Sequence, residues 1–331
     1  MISGSYDPGE IYLFRGLGKG AFKARETICD KDKKPVVRVP KQKHPIESFG
    51  SWLAMTDWDD DGDLDIVLGG FDGSVWLRKN EGDKKRASFA VDNEVIVTAT
   101  GEPMKVPGHH FTPVVADWNG DGRFDLLSGS ENGGVYLWTN QGKKGAPAFG
   151  AADVLVPPHQ GNGYNELVMP GKASPPGIRS QIFVVDYDLD GRLDLLLGDF
   201  RTTVTPRPDL KKEEIAWLMT LESDLAANEA KAAPLREKVQ KEISEWARSK
   251  WKTTEDRLED DAQQAIRDES DRRERAAGLT AIEEKSAALS KQKLAFLLKP
   301  EKQRFGDEDY STCHGYLWLY LRKEPSGEMP R

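Results

Sequence analysis

Residues 57–65 read Asp57-Trp58-Asp59-Asp60-Asp61-Gly62-Asp63-Leu64-Asp65 and run straight into the apolar Ile66-Val67-Leu68-Gly69-Gly70. The pattern returns as Asp117-Trp118-Asn119-Gly120-Asp121-Gly122-Arg123-Phe124-Asp125, before Leu126-Leu127-Ser128-Gly129-Ser130. It returns again as Asp186-Tyr187-Asp188-Leu189-Asp190-Gly191-Arg192-Leu193-Asp194, before Leu195-Leu196-Leu197-Gly198-Asp199. Side-chain oxygens at positions 1, 3, 5 and 9, with a main-chain carbonyl at 7, compose an oxygen-rich cage for a hard cation. Glycine at position 6 allows the sharp turn that closes such a loop. Calcium suits it better than magnesium, because the larger ion accepts a many-membered cage made wholly of protein oxygens. An EF-hand needs a bidentate Glu at position 12 and flanking helices. Position 12 here is Leu68, Ser128 or Leu197, and the flanks have strand character.

The acidic loops act as a ruler for the chain. An apolar strand enters each one (Trp52–Thr56, Thr112–Ala116, Gln181–Val185), and a second leaves it (Leu64–Leu68, Phe124–Ser128, Leu193–Leu197). A Gly-rich turn precedes a third, alternating strand (Ser74–Arg78, Gly134–Trp138), and an Asn-x-Gly turn a fourth (Ser88–Val97, Ala148–Val156). Four short strands recurring every 60 to 69 residues are the pattern of a propeller blade. Ile2–Tyr6, Ile11–Arg15 and Ala21–Ile28 supply strands two to four of one more blade. The fold expected is all-β, a β-propeller that is small or incomplete, with about four four-stranded blades represented. Met1-Ile2-Ser3-Gly4-Ser5 aligns with Leu126–Ser130, so an upstream segment carrying one further acidic loop and an export signal is expected.

The third repeat is interrupted. Pro206 and Pro208 open a charged stretch reaching about Phe305, and Tyr316–Leu321 then matches the third strand of the other blades. The expected domains are a propeller over 1–205 and 306–331, and an inserted α-helical coiled-coil hairpin over 206–305. Leu218, Leu221, Leu225, Ala232, Leu235, Val239 and Trp246 hold 3/4 spacing, interrupted by Asn228 and Glu242. Leu258, Ala262, Ala265, Ala276, Leu279 and Ile282 form a weaker second stripe. The two arms are expected to join at Trp251–Glu255, with Thr254 as N-cap, and to span roughly 60 Å at about 1.5 Å per residue. Pro234 is expected to kink or break the first arm.

The repeats resemble the FG-GAP/VCBS family of calcium-binding β-propellers, which includes the integrin α-subunit head. The three acidic loops carry that resemblance, and Phe49-Gly50 supplies the "FG" once; Gly69-Gly70, Gly129-Ser130 and Gly198-Asp199 depart from the usual Gly-Ala-Pro. It implies up to three Ca2+ sites. The side-chain ligands are Asp57, Asp59, Asp61 and Asp65; Asp117, Asn119, Asp121 and Asp125; and Asp186, Asp188, Asp190 and Asp194. Asp63, Arg123 and Arg192 would each offer a carbonyl. The second loop has one carboxylate fewer and is expected to bind most weakly. The plainer alternative is a merely acidic turn. Trp58, Trp118 and Tyr187 read as inter-blade packing in preference to ligand platforms.

In integrin-like propellers the face opposite the cation loops binds ligand. Here the connectors 29–50, 98–110 and 157–180 place His44, His109, His110, His159, Asn162 and Tyr164 on that face, beside the helical hairpin. Solvated polar loops are the plainer reading, and a His109-His110 metal site the sharper one. Cys29 and Cys313 fall on the same face, as free thiols or as a disulfide. A formal net charge of -8 argues against nucleic acid or an anionic membrane, and no apolar run reaches membrane-spanning length. The expected function is a non-catalytic, exported adhesion or recognition module for an extracellular glycan or protein. Self-association through the hairpin or open propeller edges is a further expectation. The rivals are a catalytic, carbohydrate-active propeller (polysaccharide lyase or hydrolase) and a scaffold whose hairpin docks a partner.

Overall fold

The computed structural model describes residues 1–6, 9–38, 50–161, 163–169, 175–251, 260–298 and 310–323. His44, Phe49, Asn162, Leu258 and the expected connection at 252–255 lie outside the described residues. The N-terminal sheet joins β1 (Ile2–Gly4), β2 (Ile11–Leu13) and, beyond a small hairpin of β3 (Gly16–Gly18) and β4 (Ala21–Phe22), β5 (Glu26–Thr27). The first repeat forms β6 (Trp52–Thr56), β7 (Asp65–Gly69), β8 (Val75–Arg78) and β9 (Glu94–Val95), in that order across one antiparallel sheet. The second forms β10 (Thr112–Ala116), β11 (Asp125–Gly129), β12 (Val135–Trp138) and β13 (Asp153–Val156) in the same way. The third sheet holds β14 (Glu166–Leu167), β15 (Ile178–Val185), β16 (Asp194–Val204), β17 (Thr312–His314) and β18 (Leu317–Tyr320).

Local chemistry explains where these strands depart from expectation. Each second strand begins at the position-9 Asp, one residue later than expected, because that carboxylate is fixed by backbone bonds described below. The fourth strands shorten to β9 and β13, since the preceding residues are held in turns. Asn80 Oδ1 accepts the amides of Gly82 (3.2 Å) and Ser88 (2.8 Å), and Asn140 Oδ1 those of Gly142 (2.9 Å) and Ala148 (3.0 Å). The expected strand Ala21–Ile28 splits because Gly18, Lys19 and Gly20 all take positive φ and force a hairpin.

Two helical arms lie between β16 and β17. α1 (Lys212–Lys250) is one helix of 39 residues, roughly 58 Å long at about 1.5 Å per residue. It runs through Pro234 without a break. The second arm, expected as one helix, is two: α2 (Asp260–Ala276) and α3 (Leu279–Lys293). Gly278 separates them with φ 75°, a left-handed conformation that ends a helix. Leu218, Leu221, Ala232 and Val239 of the expected stripe are buried, with Ala262 and Leu279 from the other arm, whereas Ala276 is exposed. The base of the pair continues the third sheet. β17 pairs with Arg201–Thr203, Leu298 N–H donates to Thr205 O (2.8 Å) and Arg207 N–H to Phe296 O (2.9 Å).

Successive sheets stack face to face, and three apolar clusters form their seams. Ile2 and Ile11 of the N-terminal sheet meet Ile66, Leu68 and Trp76 of the first repeat. Val67, Val75 and Leu77 on the other face of that sheet meet Leu126, Tyr136 and Trp138 of the second. Val135 and Val156 then meet Leu195, Leu197, Trp318 and Tyr320 of the third. A glycine marks every seam. A Cβ on Gly4, Gly69 or Gly129 would sit well inside contact distance of the carbonyl of Ser51, Phe111 or Ser180 in the next sheet. Gly198, the fourth of the series, has only Gln181 O of its own sheet nearby, at 3.7 Å. Gly129→Ala is therefore expected to lose about 1–3 kcal/mol or more. Within a single copy of the chain, Gly198→Ala is expected to lose less than about 0.5 kcal/mol. Denaturant unfolding of the pair checks this.

Candidate metal centre

Each acidic loop joins the first two strands of its sheet and is built on its last aspartate. Asp65 Oδ2 accepts Trp58 N–H (2.9 Å) and its Oδ1 accepts Asn80 N–H (2.7 Å). Asp125 repeats this with Trp118 (3.1 Å) and Asn140 (2.7 Å), and Asp194 with Tyr187 (2.9 Å) and Arg322 (2.8 Å). These carboxylates are 1%, 0% and 0% exposed. Position 9 thus pins the loop to the end of the third strand, whatever it offers a cation. Burial pushes Asp65 and Asp125 up from the usual carboxylate range, while the two amide donors pull back.

The remaining acidic groups differ between loops. In the second, Asp117 accepts the amides of Gly120 (2.8 Å), Asp121 (3.0 Å) and Gly122 (2.8 Å), and Asn119 Oδ1 that of Asp121 (2.9 Å). The Arg123 guanidinium donates to Asp121 Oδ2 (2.5 Å) and to Asn140 O (3.1 Å). In the third, Asp186 accepts the amides of Asp190 (3.0 Å) and Gly191 (3.0 Å), and Arg192 pairs with Asp190 while donating to Arg322 O (3.2 Å). A basic residue at position 7 therefore neutralises position 5 and ties the loop to the next turn.

The first loop has Asp63 at that place, and its charges are left uncompensated. Asp63 is 4% exposed, and both its carboxylate oxygens are buried without a hydrogen-bond partner, as is Asp57 Oδ1. Burial, then the neighbouring Asp61, Asp65, Asp59 and Asp57, push the Asp63 carboxyl up to about 6. Only cations at the rim respond. Lys144 of the second sheet reaches Asp60 Oδ1 at 2.6 Å, and the Lys84 ammonium lies over Gly62. Two sets of acidic ligand atoms gather within 4.8 Å among the described residues: Asp57, Asp59 and Asp61, and Asp186, Asp188 and Asp194. Buried, unpartnered carboxylate oxygens beside such a set fit a hard divalent cation. Sequence reasoning gave Asp63 only a carbonyl role and missed its side chain. The signal was there, in an acidic residue where the other two loops have arginine.

The aromatic residues at position 2 follow the seams. Trp58 packs on Phe124 (5.4 Å) and Phe149 (5.8 Å) of the second sheet, and the Arg322 guanidinium lies 5.0 Å over Trp118. Tyr187, expected to pack likewise, is 59% exposed.

On the opposite side, the histidines are engaged by protein groups. His110 Nδ1 lies 2.5 Å from Glu131, which also accepts from Arg179 Nε (3.1 Å), and its ring packs between Trp52 and Phe71. His159 is held between Pro176 O (2.8 Å) and Glu166 Oε1 (2.5 Å), with Arg201 on the other Glu166 oxygen. Its hydrogen bond to Glu166 holds the imidazole above its ordinary pKa, and Glu166 is lowered in return. His109 is exposed and stacks on Phe71. Tyr164 borders Phe200, with Arg179 spread over both rings. Cys29 and Cys313 are free thiols, so the disulfide option is overturned.

Comparison with protein families matches the FG-GAP-like repeat over residues 57–128 and 117–197, frames that open on the first and second acidic loops. Neither the curated proteins nor the solved structures offer a significant match to the chain. No described helix is long and apolar enough to cross a membrane. Mostly antiparallel sheets, repeating acidic loops and this match agree: residues 57–197 carry FG-GAP-like repeats.

Proposed function

We propose that the chain is a calcium-dependent, non-catalytic recognition module built as an arc of propeller blades. The observation that carries the cation reading is the first loop, where three buried carboxylate oxygens lack any protein partner beside three gathered aspartates. Asp57, Asp59 and Asp61 would hold the ion there, and Asp186, Asp188 and Asp194 a second. The second loop, whose carboxylates are largely satisfied by its own amides and Arg123, ranks last. A bound cation supplies the positive charge that the first loop lacks, and so fixes the joint between two strands. The ligand would be a glycan or protein in an exported setting, where extracellular calcium modules bind at about 10⁻⁴–10⁻³ M.

For recognition, Tyr164, Phe200 and Arg179 offer an aromatic surface with a cation on the face opposite the loops, 39% of Tyr164 being exposed. Glu131, paired with His110, holds Arg179 of this surface, and Glu166, paired with His159, accepts the N–H of Gly163 beside Tyr164. The helical pair favours a second reading, a docking arm, because Trp217 and Met219 on α1 are 50% and 48% exposed. Binding that survives removal of the arm favours the loop face; binding that is lost favours the arm.

Thermal melting tests the cation reading. Excess calcium is expected to raise the midpoint by about 5–10 °C over excess chelator. Equal midpoints in the two conditions would refute it. Degradation of polysaccharides above background would refute the non-catalytic reading.

A further inference from the structure

The third sheet presents to solvent the face that its two predecessors bury. Each repeat sheet has a leading face toward the sheet before it and a trailing face toward the sheet after it. On the trailing face, Val67, Val75 and Leu77 of the first sheet are 0%, 0% and 3% exposed, and Leu127, Val135 and Leu137 of the second 0%, 0% and 6%. By strand register the same positions in the third sheet are Leu196, Leu317 and Leu319. Leu317 is 71% exposed and Leu319 41%, and Phe183, paired across from Leu196, is 62% exposed.

Two independent series agree that this face is built for a neighbour. Gly4, Gly69 and Gly129 each admit a backbone carbonyl of the next sheet, while Gly198 keeps the glycine with that space open. Trp58 and Trp118 are each covered from the next sheet, while Tyr187 is uncovered.

The chain also carries a matching surface. The leading face of the N-terminal sheet, opposite Ile2 and Ile11, carries Met1 (63% exposed), Tyr12 and Phe14, with the Arg25 guanidinium 4.4 Å over Tyr12. We propose that two copies of this chain associate head to tail, the N-terminal sheet of one seating on the third sheet of the other. The contact continues the stacking already made at three seams within one chain. Burying Phe183, Leu317 and Leu319 supplies the drive. Two such contacts, one at each end of the pair, return the stack on itself. The inference rests on the blade reading and is independent of the cation.

Light scattering on the whole chain tests it, with calcium present throughout. The expected mass is twice the chain's 36.9 kDa. Leu317→Asp, at an exposed position, and Tyr12→Asp, on the opposite surface, should each give monomer. An equimolar mixture of the two variants should regain a dimer, because one intact contact survives. Circular dichroism and calcium titration of the variants report folding and cation binding separately, so failure of either reading is distinguishable. A monomeric wild-type chain, or a dimer that persists in both variants, would overturn the proposal.

Discussion

Asp125→Ala should be among the most damaging single substitutions in this protein, at roughly 2–6 kcal/mol. The side chain is fully buried, and its two oxygens accept the amides of Trp118 and Asn140. Truncation leaves the buried Asn140 N–H and the half-buried Trp118 N–H without partners, at up to about 1–3 kcal/mol each. A loss of that size consumes a large share of the ~5–15 kcal/mol by which a domain is stable. Asp125→Asn keeps one acceptor and turns its amide toward the other donor, so an intermediate loss is expected. The same order should hold at Asp65 and Asp194, which make the same pair of bonds. The effect should persist in excess chelator, since the bonds are to the backbone. Urea unfolding at fixed calcium and in chelator measures it. A loss below about 1 kcal/mol would show that position 9 acts only as a cation ligand.

The second large effect concerns Asp63 and runs with pH. Its folded carboxyl titrates at about 6, raised above the ordinary aspartate value of 3.8 by burial and four neighbouring carboxylates. A raised acid favours the folded state when protonated. Without cation, the contribution of Asp63 to stability should therefore be greatest below pH ~4, decline as pH rises through about 6, and level off above ~7. Asp63→Asn should remove that decline and raise cation-free stability at pH 8 by about 2 kcal/mol. Saturating calcium should flatten the wild-type profile, because the ion balances the charges that protonation otherwise removes. Melting profiles across pH, with and without chelator, check the sign. A cation-free profile that rises from pH 5 to 8 would contradict it.

Much of the fold was legible because the repeat is written in residues with one structural meaning. Glycine at position 6 and the Asn-x-Gly turns fix tight turns, and the apolar runs fix which strands are central. The acidic loops fixed the frame, so the third-strand match at Tyr316–Leu321 emerged as β18, paired with β16. Less legible was anything set by partners distant in sequence. β16 runs on to Val204 because β14 and β17 flank its far end, and neither is signalled locally. The break at Gly278 lay within a stripe whose 3/4 spacing continued across it. At the candidate site, the carboxylate pattern was read as one set of ligands with equal roles. Geometry divides it into a buried structural aspartate at position 9, a half-buried group at position 1 and exposed groups at positions 3 and 5. The histidines looked like loop-face candidates because Glu131 and Glu166, which engage them, stand 21 and 7 residues away.

Calorimetric titration of calcium into the chelator-stripped whole chain tests the central claim most directly. The tightest site is expected in the wild type, weakened at least ~10-fold by combining Asp57→Ala with Asp59→Ala, which forfeits ligand charge. Combining Asp117→Ala with Asn119→Ala should leave it within about 2-fold. No calcium heat in the wild type, or a tightest site that survives the first pair and falls with the second, would contradict the assignment of the cation to the first loop.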